Sequence, residues 1–263
     1  MTMRKISLAW LALAALWSAP LLAAPVSRPV SWKLGKQDFS GFLVYDDAGK
    51  PKRPGLLMVP DWLGVTPDAV AKARQVAGND YVVLVVDMYG KGIRPKNPEQ
   101  ALAQVKKLYA DRPAMRARMN KALQVLRAQA GKAPLDATRV AAFGYCFGGA
   151  SVLELARSGA DIAGVVTFHG GLDTTMPAAR GVVKAPLLVL NGADDQSVAP
   201  NIPGFEKEMN AAGVDWQFVN FSGAVHCFAL ETANSPPGCM YNKRAAKRAN
   251  KMMENFLDEV FVR

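Results

Sequence analysis

Gly144-Tyr145-Cys146-Phe147-Gly148-Gly149 follows the apolar run Arg139-Val140-Ala141-Ala142-Phe143 and precedes Ala150-Ser151-Val152-Leu153-Glu154-Leu155-Ala156. The layout predicts a strand, a sharp turn and a helix, with a thiol at the apex of the turn. It is the arrangement of a G-x-S-x-G nucleophile elbow with sulfur in place of oxygen. Such a turn strains the apex backbone and brings strand and helix close, so the flanking side chains must be small. Glycine at 144, 148 and 149 meets that demand. The alternative is a buried, inert cysteine, which has no need of those glycines.

Strands and helices alternate on both sides of this turn. Phe39 to Tyr45 reads as an early strand and Gly55 to Val59 as a buried one. Thr66 then reads as an N-cap with Pro67 at the first helical position, starting a helix to about Ala77. Tyr81 to Val86 is almost wholly apolar and β-branched, which suits a parallel strand covered on both faces. Helices are expected over Pro98 to Tyr109 and Ala114 to Ala130. Further buried strands are expected at Ile162 to Phe168 and Pro186 to Leu190, then a helix at Phe205 to Ala212 and a last strand at Asp215 to Phe221. Ala245, Ala249, Met252, Phe256 and Val260 recur at helical spacing, widened by Met253 and Leu257. Repeated alternation predicts an α/β protein with a mostly parallel central sheet and helices on both faces. Sites in such sheets lie at the carboxyl ends of the strands.

The chemistry-bearing residues fall at those ends. In α/β-hydrolase folds the nucleophile is followed in the chain by an acid and then a histidine. Here Cys146 is followed by Asp194-Asp195 after the strand ending at Leu190, and by His226 after the last strand. The chain has two histidines. His169 lies upstream of both acids and would break the order, leaving it a structural or pocket-lining role. A thiol becomes a good nucleophile when ionised, and a histidine and a helix N-terminus both favour the thiolate. The backbone N–H of Phe147 is one expected oxyanion donor. The second is expected from the loop Pro60-Asp61-Trp62-Leu63-Gly64-Val65, at Trp62.

The 263 residues suit one large core, with half of them apolar and about a fifth charged. Arg4-Lys5, the apolar run Ile6 to Trp17 and small residues around Ala23-Ala24 read as a secretory signal peptide over residues 1–24. The run is short for a membrane span. The expectation is an exported protein, periplasmic in a Gram-negative host, with one domain over 25–263. The net charge of +10 comes from scattered basic residues that read as solvated helix faces, with steering of anionic substrates as the alternative. No aromatic-interleaved basic motif suggests a nucleic-acid partner.

Several motifs together resemble the dienelactone hydrolase family: the Cys146 elbow, Pro60-Asp61-Trp62-Leu63-Gly64, Asp87-Met88-Tyr89-Gly90, Gly192-Ala193-Asp194-Asp195-Gln196-Ser197-Val198 and His226-Cys227-Phe228. The resemblance runs from about residue 38 to the end and implies the α/β-hydrolase fold. It also implies hydrolysis of a carboxylic ester or lactone through a thioester intermediate. The family's spacing of Gly, Asp and Val selects Asp195 over Asp194. Its best-known members open an unsaturated lactone carrying a carboxylate, which implies an anionic substrate. They carry a Glu that interacts with the resting thiol. Asp61 stands at the matching position, one methylene shorter, and a carboxylate there would raise the thiol pKa. Export sets this chain apart from the cytoplasmic lactone-degrading members.

Export also permits disulfides. With Cys146 as nucleophile, the three cysteines leave Cys227 and Cys239 as an expected pair beside His226. The competing classes are a non-catalytic binding protein on the same fold and a redox thiol protein. The ordered Cys146, Asp195 and His226 argue against the first, and the lack of a C-x-x-C pair against the second. No metal pattern, P-loop or dinucleotide fingerprint implies a cofactor. The expected partner is a small-molecule ester or lactone, and the expected state is a monomer.

Overall fold

The computed structural model describes residues 25–48 and 50–262, so the expected signal peptide lies outside the described residues. Two antiparallel strands, β1 (Pro25–Leu34) and β2 (Gln37–Asp46), form one edge of a sheet. The sheet continues through β3 (Arg53–Val59), β4 (Val82–Val85), β5 (Leu135–Tyr145), β6 (Val165–Phe168), β7 (Leu187–Gly192) and β8 (Trp216–Phe221). Its eight strands run in the order β1-β2-β4-β3-β5-β6-β7-β8. β2 meets β4 antiparallel, and every pair beyond β4 is parallel.

β3 has β4 on one side and β5 on the other, so the chain leaves β3 in one direction and returns on the opposite one. That reversal opens a crevice outside the carboxyl ends of β3 and β5. The Pro60–Val65 loop follows β3 and the Cys146 turn follows β5, so both border it.

Helices α1 (Pro67–Ala77) and α6 (Lys243–Val262) cover one face of the sheet. Helices α2 (Pro98–Tyr109), α3 (Arg112–Arg127), α4 (Phe147–Arg157) and α5 (Ile202–Ala212) cover the other. Thr66 caps α1 as its sequence implies, its Oγ accepting from Ala69 N at 3.1 Å. Ala245, Ala249, Phe256 and Val260 of α6 face the core, and Met253 and Leu257 join them. Met252 sits at the margin of that stripe. Among the described residues, no helix is long and apolar enough to cross a membrane.

β1 has no counterpart in the sequence expectations. It is an edge strand carrying Pro29, and its inward positions Val30 and Trp32 alternate with the exposed polar Ser31 and Lys33. A strand packed on one side only leaves little continuous apolar signal. β9 (Asn234–Ser235) and β10 (Cys239–Met240) form a two-residue ladder, too short to register as periodicity.

α4 is buried along its whole length, so its charges need partners inside the protein. Glu154 is fully buried and receives Arg116 Nε at 2.7 Å and Arg157 Nη1 at 3.2 Å. Arg157 also reaches Glu208 at 2.8 Å and the Leu172 carbonyl at 2.7 Å. Removing one member leaves uncompensated buried charge, at a cost of about 3–5 kcal/mol, whereas an exposed pair is worth about 1 kcal/mol or less. Urea titration of Glu154→Ala should therefore show a loss of that larger size. Asp136→Ala, which breaks the partly exposed pair with Arg139, should lose far less.

Candidate active site

Cys146 lies between β5 and α4 with φ 53° and ψ −116°. This is left-handed backbone that non-glycine residues rarely adopt. The turn is held by Cys146 N donating to the Phe168 carbonyl at 3.0 Å and by Ala150 N donating to the Cys146 carbonyl at 3.1 Å. A Cβ at Gly144 would sit 2.3 Å from the Gly148 carbonyl oxygen, and one at Gly148 would sit 2.1 Å from the Val59 carbonyl oxygen. These neighbours are backbone and cannot swing aside. The thiol is thus fixed at the N-terminus of α4, where free N–H groups favour negative charge.

The turns after β7 and β8 are laced together. Ala193 N donates to the Phe221 carbonyl and Asp194 N to the Ala224 carbonyl, each at 3.0 Å. That lacing sets Asp195 against His226. His226 Nδ1 lies 2.6 Å from Asp195 Oδ2, and His226 Nε2 lies 3.0 Å from Cys146 Sγ. The other Asp195 oxygen accepts from Ser197 N at 3.0 Å and from the Ser197 hydroxyl at 2.5 Å. Asp195 is buried while Asp194 is exposed, so the structure brings together Cys146, His226 and Asp195 of the two acidic alternatives. Burial pulls the His226 imidazolium down, but its hydrogen bonds to Asp195 and Cys146 and their charges outweigh this, pushing its pKa up to about 10. For Asp195, burial works upward, but the contacts to His226 and Ser197 bring the carboxyl below its usual range.

Cys227 and Cys239 are joined by a disulfide. The bridge ties the residue after His226 to β10, and Met240 N donates to the His226 carbonyl at 3.1 Å. The expected pair is therefore present, next to the histidine backbone.

Around the thiol the structure adds residues to which sequence reasoning assigned no role. Asp87 Oδ1 accepts from Tyr89 N at 3.1 Å and Gly90 N at 3.0 Å, fixing the loop after β4. Tyr89 stacks on Phe147 with ring centroids 5.3 Å apart, and its hydroxyl donates to the Trp62 carbonyl at 2.9 Å. The ring of Tyr109 packs on the same phenylalanine at 6.0 Å. Burial, then the nearby Cys146 charge, raises both phenol pKa values, so both hydroxyls stay protonated. Tyr89 stood inside a recognisable motif, but only its contact with Trp62 shows that it braces the Pro60–Val65 loop. Ser197 could have been found from its position two residues after Asp195, the spacing of a local side-chain turn.

Asp61 Oδ1 accepts from Leu63 N at 2.9 Å, closing a tight turn, while His226 Nε2 is the hydrogen-bond partner at the Cys146 thiol. Asp61 lines a cavity of 210 Å³ between α1 and the segment 229–232. Burial raises its pKa, Leu63 N opposes that, and Asp68 adds to it. His169 is fully buried, with its ring centroid 5.0 Å from that of His226.

The sheet order, the strained turn and the Cys146, Asp195 and His226 cluster together define an α/β-hydrolase. The chain belongs to the dienelactone hydrolase family, which matches residues 39–261. It is similar to the solved structure of m3DLH, at 36% identity and TM-score 0.84 over 90% of this chain and 99% of that one. It is also similar to a dienelactone hydrolase-like promiscuous phosphotriesterase, P91, from metagenomic libraries. There the identity is 34% and the TM-score 0.83, over 90% of this chain and 99% of that one. An uncharacterised Caenorhabditis elegans protein is 33% identical over 139 residues, 48% of this chain and 84% of that one. The chain is an ester or lactone hydrolase.

Closing a short loop with a disulfide contributes about 2–4 kcal/mol to stability, and here the loop begins at the residue after His226. The double variant Cys227→Ser/Cys239→Ser should unfold at lower urea by that amount. Its kcat should also fall, by roughly tenfold, as His226 loses its fixed position. Denaturation and steady-state assays on the same preparation measure both.

Proposed function

We propose that the chain hydrolyses small carboxylic esters and lactones through a thioester on Cys146, with His226 as acid and base and Asp195 orienting it. The observation that carries this reading is the unbroken chain from Asp195 Oδ2 through His226 to Cys146 Sγ, at 2.6 and 3.0 Å, on a strained turn. A binding protein with no catalytic role has no use for that alignment.

In the resting pair His226 carries the proton. Its Nδ1–H donates to Asp195 and its Nε2–H to the Cys146 thiolate. The thiolate attacks the carbonyl carbon and the carbonyl oxygen takes up negative charge. The N–H groups of Phe147 and Trp62 are the proposed donors to that oxygen. As the intermediate collapses, His226 passes its proton to the departing alkoxide, leaving a thioester. His226, now neutral, takes a proton from water. The hydroxide adds to the thioester, and the acid leaves as the thiolate is restored. Asp61, proposed to modulate the thiol, would act from its turn beside Trp62 without a direct hydrogen bond.

The 34% identity to a promiscuous phosphotriesterase supports phosphate triesters as secondary substrates, attacked by the same thiolate. The basic and apolar start of residues 1–24, followed by small residues, supports export, to the periplasm in a Gram-negative host. The Cys227–Cys239 disulfide suits that oxidising compartment. The exposed large apolar side chains among the described residues are few, namely Ile93, Leu102, Met176 and Val262, and the proposed state is a monomer.

Cys146→Ala and His226→Ala should each lower kcat/KM by at least a thousandfold on a chromogenic ester. Full turnover in Cys146→Ala would sink the reading. The pH profile gives an independent check. The His226 pKa is raised to about 10, so its protonated form persists to that pH and is lost above it. An alkyl ester needs that proton on its leaving group, and its kcat/KM should fall as pH rises through about 10. A nitrophenyl ester, whose leaving group departs unprotonated, should show no such fall.

A further inference from the structure

Among the described residues, the non-glycine positions with positive φ are Cys146, His169 and Cys227. Cys146 is the elbow and Cys227 follows the acid–base histidine. Strained backbone of this kind gathers where the surrounding structure enforces it for function. His169, at φ 41° after β6, has no role in the mechanism above.

Its surroundings are unusual for a histidine. The ring is fully buried, and among the described residues neither Nδ1 nor Nε2 has a hydrogen-bond partner. It is packed crosswise on His226, with ring centroids 5.0 Å apart and an interplanar angle of 63°. Phe228 lies at 5.4 Å and Tyr145 at 6.2 Å. A phenyl ring would fill this aromatic cage without leaving two buried nitrogens unpaired, a clear cost. The main chain does not require imidazole either, since the backbone bond of this residue, His169 N to the Leu190 carbonyl at 2.8 Å, is open to any residue but proline.

What a phenyl ring lacks is the imidazole dipole, and the ring next to His169 is the one that must carry charge. We propose that His169 is a positioning residue for His226, its ring dipole packed against the imidazole and favouring its protonated form. The inference rests on the acid–base role proposed for His226. Burial, then the charge of His226, pushes the His169 pKa well below the usual histidine range, with Asp195 opposing, so His169 offers a neutral dipole and not a second charge. The titratable groups facing the pair are Asp195 and Cys146 on His226, and the Tyr145 phenol beside His169. The Ser197 hydroxyl also lies 3.3 Å from His226 Nδ1.

The chain contains two histidines, so histidine labelled with nitrogen-15 gives two resolvable sets of ring signals. In His169→Phe, the His226 titration midpoint should fall by roughly half to one pH unit relative to wild type. An unchanged or higher midpoint overturns the proposal. The wild-type midpoint itself tests the separate reading of His226 as a proton-bearing partner of the thiol, so the two can fail independently. Should the phenylalanine variant not fold, the wild-type spectrum still decides. His169 should hold one neutral tautomer, with its ring shifts tracking the His226 titration. A mixture of tautomers indifferent to that titration means no oriented dipole and overturns the proposal.

Discussion

Backbone approach between β5 and α4, with Cys146 held in a left-handed conformation at its tip, is the constraint on which the rest depends. The carbonyls of Val59 and Gly148 occupy the space that side chains at Gly148 and Gly144 would need. The strand, the helix and the loop after β3 therefore meet within van der Waals distance. That approach puts the thiol at a helix N-terminus and sets it beside the Pro60–Val65 loop. It also forces α4 into the interior, which is why Glu154 and Arg157 carry a paired network of charges beneath the site.

The second half of the site depends on a different joint. β7 and β8 are neighbours, and the turns after them exchange backbone hydrogen bonds. Asp195 and His226, 31 residues apart in sequence, meet because of that exchange. The Cys227–Cys239 bridge then limits how far the histidine's segment can move. A buried carboxylate on one nitrogen and the Cys146 sulfur on the other raise the imidazole's pKa in spite of burial, which supports the ion pair proposed for the mechanism. On the proposed reading, the same proton that stabilises the thiolate later leaves with the alcohol.

Much of this was legible in the sequence because the governing constraints act locally. Glycines flanking Cys146 report a steric demand, Thr66-Pro67 reports a helix start, and the apolar run at Tyr81 to Val86 reports a strand with no exposed face. Position in the chain also identified His226. The parts that stayed hidden depend on long-range contact. β1 has a one-sided apolar pattern broken by Pro29. The hydrogen bond from Leu63, two residues on, to Asp61 Oδ1 is a turn contact that the loop's sequence does not announce. Nothing local indicates that Tyr89 reaches back 27 residues to brace Trp62, or that His169 lies under His226.

The central claim is that the acyl group is carried on Cys146. Acid-quenched mass spectrometry of the enzyme during turnover of a slowly deacylating ester tests it directly. The account predicts one acyl mass on the peptide containing Cys146, removed by neutral hydroxylamine and absent in Cys146→Ala. Turnover with no adduct on that peptide, or with the acyl group on another residue, would contradict it.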